Sequence, residues 1–330
     1  MRRLCALALV LALAGCAARP DGPTQVNPAE GYVRQRHPFY HAKLFVDPQS
    51  AAAIYQSHNR DSAWLDPITK TPQAVWMTSE HDLERLPTVV RSAAQQEALL
   101  VVVAYFIPNR DCQGLGATSP DRYRIWISSL LTDLGKTPAA IIMEPDALAA
   151  DCFSPERAAL IAESVKRLTE SGHYVYLDAG HPQWRTTAEA ARRLVASGIK
   201  HANGFSTNVA NRYTTAANQQ WAQELSSLVG DREYVIDTSR NGIGPPPDEP
   251  GHDDEWCNPR DQALGSLPAM APLFARNAAL LWIKRPGESD GPCRGESGFD
   301  FSPAQARTLI DRAALATPTP HPEHPAGILP

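Results

Sequence analysis

The stretch AAIIMEPDALAADC, residues 139–152, is an apolar run that stops abruptly at Glu144, Pro145 and Asp146, with Cys152 close behind. Residues 139–143 carry no polar side chain, so the run reads as a strand buried on both faces. A buried strand that ends in two carboxylates around a proline has reached a place that uses charge. Runs of the same type recur at KLFV (43–46), ALLVVVAYFI (98–107), HYVYLDA (173–179), GFSTNVA (204–210), EYVIDT (233–238) and AALLWIK (278–284), about seven strands with 139–143.

Most of the gaps carry a helical pattern. SPERAALIAESVKRLTES (154–171) has apolar residues at spacings of three and four. Ser119-Pro120, Ser154-Pro155 and Ser302-Pro303 each set an N-cap before a proline at the first helical position. Thr186 and Glu189 fit a capping box. Strand alternating with helix predicts an α/β fold with a parallel sheet and crossover helices. No GxGxxG opens the first crossover, and polar residues gather at the carboxyl ends of many strands. Both features favour a TIM-like parallel β/α barrel over a doubly wound sheet.

The two ends of the chain have a different composition. MRRLCALALVLALAGC begins with Arg2 and Arg3 and has an apolar run shorter than the roughly 20 residues that cross a membrane, so it reads as a signal peptide. Leu13-Ala14-Gly15-Cys16 resembles a bacterial lipobox, which makes Cys16 the candidate lipidation site. The expected plan is a signal over 1–15, a tether over 16–37, a catalytic domain over 38–316 and a proline-rich tail over 317–330. The chain is then exported and held at the outer face of a bacterial membrane, or secreted. Lys and Arg number 31 against 36 Asp and Glu, a net charge of −5 that becomes −7 without Arg2 and Arg3. That balance disfavours nucleic acid and anionic lipid surfaces, so contact with membrane is expected only through the lipid. Four cysteines remain after Cys5 and Cys16: Cys112, Cys152, Cys257 and Cys293. An even number in an oxidising compartment predicts two disulfides, and three pairings stay open.

In a parallel barrel the strand ends share one rim. The predicted strands deliver to it Tyr105 and Asp111, then Asp146, Asp178, Asn208 with Asn211, Asp237 with Arg240, and Lys284, Glu288 and Asp290. One such aspartate is ordinarily a turn former. Several on one rim cannot all ionise, and the one that stays protonated becomes a general acid. Acid and carboxylate about one bond are the equipment for cutting glycosidic bonds. His181 is the only histidine beside the cluster, so no metal site and no cofactor are expected. Trp126, Trp221 and Trp282 fall in helices or strands and read as packing. Trp64, Trp76, Trp184 and Trp256 fall in loops, where an aromatic face can stack on a sugar ring.

The motifs YFIPNRDC, IIMEPDALA, YLDAGHPQW, GFSTNVANRY, VIDTSRNG, EWCNPRDQALG and LLWIKRPGESDGPC resemble, in order, those of glycoside hydrolase family 6 over roughly residues 40–316. The resemblance implies a distorted, partly open β/α barrel and inverting hydrolysis of β-1,4-glucan. It casts Asp146 as the general acid and Asp111 as the carboxylate that raises the acid's pKa and relays a proton through water. Asp290 is cast as the base, although the base is disputed within the family. Tyr105 would crowd the reacting sugar. Asp178, Asn208, Trp76, Trp184, Trp256, Lys284 and Glu288 would bind substrate. It pairs Cys112 with Cys152 and Cys257 with Cys293. A serine that helps hold the attacking water in the family has no clear counterpart in QGLGATSP (113–120), where Ser119 is committed to a helix cap. A monomeric endoglucanase acting on soluble or amorphous glucan is the leading expectation. An exo-acting cellobiohydrolase and a non-hydrolytic glucan-binding lipoprotein are the rivals.

Overall fold

The computed structural model describes residues 38–40, 42–245, 256–270 and 276–315. Signal, tether and tail therefore lie outside the described residues, as do Cys16 and the middle of the segment 239–266.

One sheet organises the described chain. Its strands are β1 (Val75–Met77), β2 (Leu100–Ala104), β3 (Ala139–Met143), β4 (Tyr174–Asp178), β5 (Gly204–Thr207), β6 (Glu233–Asp237), β7 (Ala269–Met270) and β8 (Asn277–Leu281), in the order β1-β2-β3-β4-β5-β6-β8-β7. All neighbours pair in parallel except β7 with β8. The sheet curls until its ends nearly meet. Ala74 N donates to Trp282 O at 2.9 Å, and Trp76 Nε1 donates to Ile283 O at 2.7 Å. These two bonds form the seam of a distorted, incompletely closed barrel.

Two sequence expectations need correcting. Residues 43–46 form no strand; Leu44 makes only a single bridge to Leu99. The first strand is instead β1, three residues long, which is too short for periodicity to reveal. Trp76 therefore sits in a strand rather than a loop, and Trp64 sits in a 3-10 turn, Ala63–Leu65. The brief β7 was also unforeseen.

Strand pleating divides the core into two layers. Val102, Ala104, Ile141, Met143 and Leu177 pack outward against the helices. Val101, Val103, Ala140, Ile142, Tyr176 and Leu281 fill the barrel interior. Burial of both faces explains why these strands read as unbroken apolar runs.

The crossover helices begin where the caps predict. They are α1 (Ala51–His58), α2 (Asp66–Thr69), α3 (Glu80–Leu83), α4 (Leu86–Gln95), α5 (Pro120–Leu134), α6 (Pro155–Glu170), α7 (Thr187–Ala196), α8 (Thr215–Leu228) and α9 (Pro303–Leu315). Ser119 and Ser154 cap α5 and α6 through the amides of Arg122 and Arg157, each at 3.2 Å. Thr186 caps α7, but only half of the predicted box forms, because Glu189 turns to Arg193 and Arg192.

Candidate active site

The rim begins with the loop after β2. Tyr105 stands at the barrel mouth against the interior cluster, edge-on to Trp76 with ring centroids 5.6 Å apart. Its hydroxyl donates to Asp111 Oδ1. The chain then turns back on itself: Arg110 N bonds Leu115 O at 2.8 Å, and Ala117 N bonds Phe106 O at 2.9 Å. Gly116 makes this return possible, since a Cβ there would lie 2.1 Å from Ile107 O. Cys112 is disulfide-bonded to Cys152 and Cys257 to Cys293, as the family resemblance implied. The first bond ties the Asp111 loop to the segment that follows Asp146.

Left-handed backbone outside glycine is concentrated on this rim. Asn109, Asp111, Cys112, Glu144, Asp146, Asn208 and Ala210 all have φ between 51° and 68°. Asn and Asp tolerate that region, but Glu, Cys and Ala are strained there by about 1–3 kcal/mol each. Such strain persists only where surrounding contacts fix the backbone, and here buried carboxylates supply many of them. Glu144 accepts from the amides of Phe106 and Ile107. Asp178 accepts from the amides of Asp146 and Gly180 and from Ser206 Oγ. Asp237 accepts from the amides of Ala210, Ser239, Ile283 and Lys284.

The expectation that the rim carboxylates share one open cleft is thus only partly met. Asp178, Asp237 and Glu144 are wholly or almost wholly buried and work as backbone clasps. Asn208 is likewise buried. Its amide nitrogen donates to Asp237 O and Tyr213 O, and its oxygen accepts from Tyr213 N, so it holds a loop rather than presenting itself to sugar.

Asp146 differs from these clasps. It lies at the exit of β3, partly exposed, and its carboxyl makes no hydrogen bond to a described residue. Burial pushes its pKa well above the usual carboxylate range, and Asp178, Asp111 and Asp290 push it further. Burial also raises Asp178, but three donors surround that carboxylate. The proton of the pair therefore resides on Asp146. Asp111 is half exposed at 31%, with Arg110 Nε 3.6 Å from Oδ2. Arg110 in turn lies over the Tyr105 ring, 4.4 Å from its centroid.

Asp290 is a carboxylate of opposite character. It is only 6% exposed and receives Arg212 Nη2 at 2.7 Å, Arg240 Nη1 at 2.9 Å and Lys284 Nζ at 3.5 Å. The amide of Asn258 adds a bond of 3.1 Å. Burial alone would raise its pKa, but the three cations outweigh burial and hold it well below the normal range. A carboxylate so saturated with donors is a weak proton acceptor, which argues against the catalytic-base role that the resemblance gave it. Arg212 and Arg240 have no role in the sequence reading. The signals for them were Arg240 at a strand end and the presence of both arginines in the motifs GFSTNVANRY and VIDTSRNG.

The remaining candidates divide as follows. Trp256 is 58% exposed and is fixed through its carbonyl, which accepts from Arg212 Nη1 at 2.7 Å. Trp184 stacks on His181, which stacks on Tyr213, with centroid distances of 5.2 and 4.6 Å. Burial lowers the His181 pKa to about 4, so this stack is neutral in ordinary buffers. Trp76 is committed to the seam. Lys284 donates to Ser289 O at 3.1 Å, and Glu288 pairs with Arg285 at 2.7 Å. Among the described residues no group of three His, Cys, Asp or Glu side chains could hold a metal ion.

A carboxyl whose pKa is raised near a half-exposed carboxylate, at the mouth of an open parallel barrel, is the kind of equipment that suits cleavage of acetals by proton transfer. A family model for Glycosyl hydrolases family 6 matches residues 36–316, and the chain belongs to that family. It is 37% identical to endoglucanase A of Cellulomonas fimi over 76% of this chain, spanning 57% of that protein's length. It is 34% identical to endoglucanase 1 of Streptomyces halstedii over 94% of this chain and 97% of that one. Among solved structures it resembles the endoglucanase Cel6 from Mycobacterium tuberculosis in complex with methyl-cellobiosyl-4-deoxy-4-thio-β-D-cellobioside. The TM-score is 0.79 at 39% identity, over 84% of this chain and 99% of that one.

Proposed function

We propose that the chain is an endo-acting β-1,4-glucanase that hydrolyses cellulose-like glucans with inversion. The observation that carries this reading is Asp146, a carboxyl at the exit of β3 whose pKa is pushed up by burial and by neighbouring carboxylates, with no hydrogen-bond donor to its anion among the described residues. It protonates the leaving glycosidic oxygen. A water attacks the anomeric carbon from the opposite face as the bond to the leaving oxygen breaks, and its proton passes through water to the half-exposed Asp111, whose Oδ1 is oriented by Tyr105. Tyr105 crowds the reacting ring, while Trp184, Trp256, Lys284 and Glu288 supply contacts along the glucan. Endoglucanase relatives with most of their length in common favour internal cleavage. So does the 285–301 segment, whose ends are drawn together by Ser289 N to Asp300 O at 3.0 Å and Ser302 N to Gly287 O at 2.8 Å. That leaves little chain to arch over a polymer.

The test is Asp146→Asn. Its rate on carboxymethylcellulose and cello-oligosaccharides should fall by about 10²–10⁴-fold, and far less on aryl cellobiosides with acidic phenols. The first-formed product of the wild-type enzyme should be the α-anomer by proton NMR. Initial β-anomer overturns the inverting reading. Viscosity should drop steeply while few reducing ends appear; early cellobiose with little loss of viscosity overturns the endo reading.

We also propose that the chain is exported as a lipoprotein through Cys16, with residues 1–15 removed, 16–37 a tether and 317–330 a tail beyond a monomeric catalytic domain. Support comes from the Leu-Ala-Gly-Cys ending of a short apolar run. A multiply acylated cysteine anchors firmly. Cys16→Ser should move the protein from the membrane fraction to the medium, and unchanged membrane retention sinks the idea.

A further inference from the structure

The backbone of residues 105–109 is held from below by side chains at nearly every position. Arg110 Nη1 donates to Tyr105 O at 2.7 Å and to Thr78 O at 3.0 Å. The Glu144 carboxylate takes the amides of Phe106 at 3.1 Å and Ile107 at 3.0 Å. Arg157 Nη2 donates to Pro108 O at 3.2 Å and Asn109 O at 2.8 Å. Glu144 is the centre of this cradle. It is wholly buried, its third donor is Tyr123 Oη at 2.8 Å, and it lies two residues before Asp146 on the same strand exit.

We propose that Glu144 is a positioning residue that couples the Asp111 loop to Asp146, fixing the spacing of the two carboxyl groups that the reaction uses. This inference rests on the acid assignment made above. Glu144 belongs to the chain segment of one group and grips the backbone of the segment carrying the other. Loosening the grip lets Asp111, and with it Tyr105, drift relative to Asp146, while the platforms Trp184 and Trp256, which lie on other loops, stay in place. The charged or titratable groups facing Glu144 are Tyr123 from α5, Arg110 from the Asp111 loop and Arg157 from α6. Burial raises Glu144 to about 7, against the opposing pull of its donors.

The experiment compares Glu144→Gln and Tyr123→Phe with wild type by thermal melting, kcat, KM and the pH profile of kcat/KM. Gln keeps the length but leaves one acceptor oxygen where Glu144 used two for three donors, and its amide nitrogen brings N–H groups to a place where Glu144 accepted. A misplacement of the order of 1 Å lowers kcat of Glu144→Gln by about 10–100-fold with KM unchanged. Because Asp111 helps to raise the Asp146 pKa, the alkaline limb moves to lower pH. Tyr123→Phe removes one donor of three and shifts both readouts in the same direction, with kcat down about fivefold. If Glu144→Gln melts earlier yet keeps wild-type kcat and alkaline limb, Glu144 is merely structural and the proposal fails. If Glu144→Gln yields no folded protein, Tyr123→Phe decides by the same two readouts. Asp146→Asn in the wild-type background is the separate control. Full activity there sinks the acid assignment itself, whatever the Glu144 variants do.

Discussion

Replacing Asp290 with asparagine separates two accounts of that residue. In the structure its single carboxylate pairs with Arg212, Arg240 and Lys284 together, with the two arginines only 4% and 3% exposed. Asparagine keeps the shape but leaves three crowded cations without their counter-ion. Breaking a buried pair by removing one partner costs about 3–5 kcal/mol. For a domain of this size roughly 2 °C of melting temperature corresponds to each kcal/mol, so the midpoint should fall by about 6–10 °C. Differential scanning calorimetry at pH 7 measures it. The loss should also depend on pH. The folded pKa lies below the unfolded value of about 3.9, so the stabilisation is fully present above that value. It fades as pH falls through the folded pKa, and wild type and variant should converge in acid. A catalytic base predicts a different pattern: an intact melting temperature, a kcat lowered by orders of magnitude, and recovery of turnover by azide. Observing that pattern would refute the reasoning from donor saturation.

Two further outcomes follow from the geometry. Replacing both Cys112 and Cys152 with serine opens a link spanning 40 residues and should cost up to about 4 kcal/mol of stability, with kcat falling because the Asp111 loop loses its tie; an unchanged melting temperature counts against this. Trp256→Ala removes an exposed indole while keeping the carbonyl that Arg212 uses, so KM for long glucans should rise at a melting temperature within about 1 °C of wild type. An unaltered KM would remove Trp256 from the substrate path.

The sequence by itself determined the alternation of strand and helix, the caps at Ser119 and Ser154, and the strand exits that bear Asp111, Asp146 and Asp290. These features are local or periodic, and burial of both sheet faces writes them as apolar runs. The resemblance to a family added the pairing of the four cysteines, which spacing alone left open. β1 was invisible because three residues carry no period and the strand owes its existence to pairing with β2. The roles of the rim carboxylates were equally hidden. Glu144, Asp146, Asp178, Asp237 and Asp290 look alike in sequence, each an acid at or beyond the end of an apolar run. Only tertiary packing decides which of them meets backbone amides and becomes a clasp, which meets arginines and becomes a fixed anion, and which meets neither. A carboxyl raised by burial and met by no donor among the described residues arises only where several chain segments converge, and that is what singles out Asp146 for the proposed acid role.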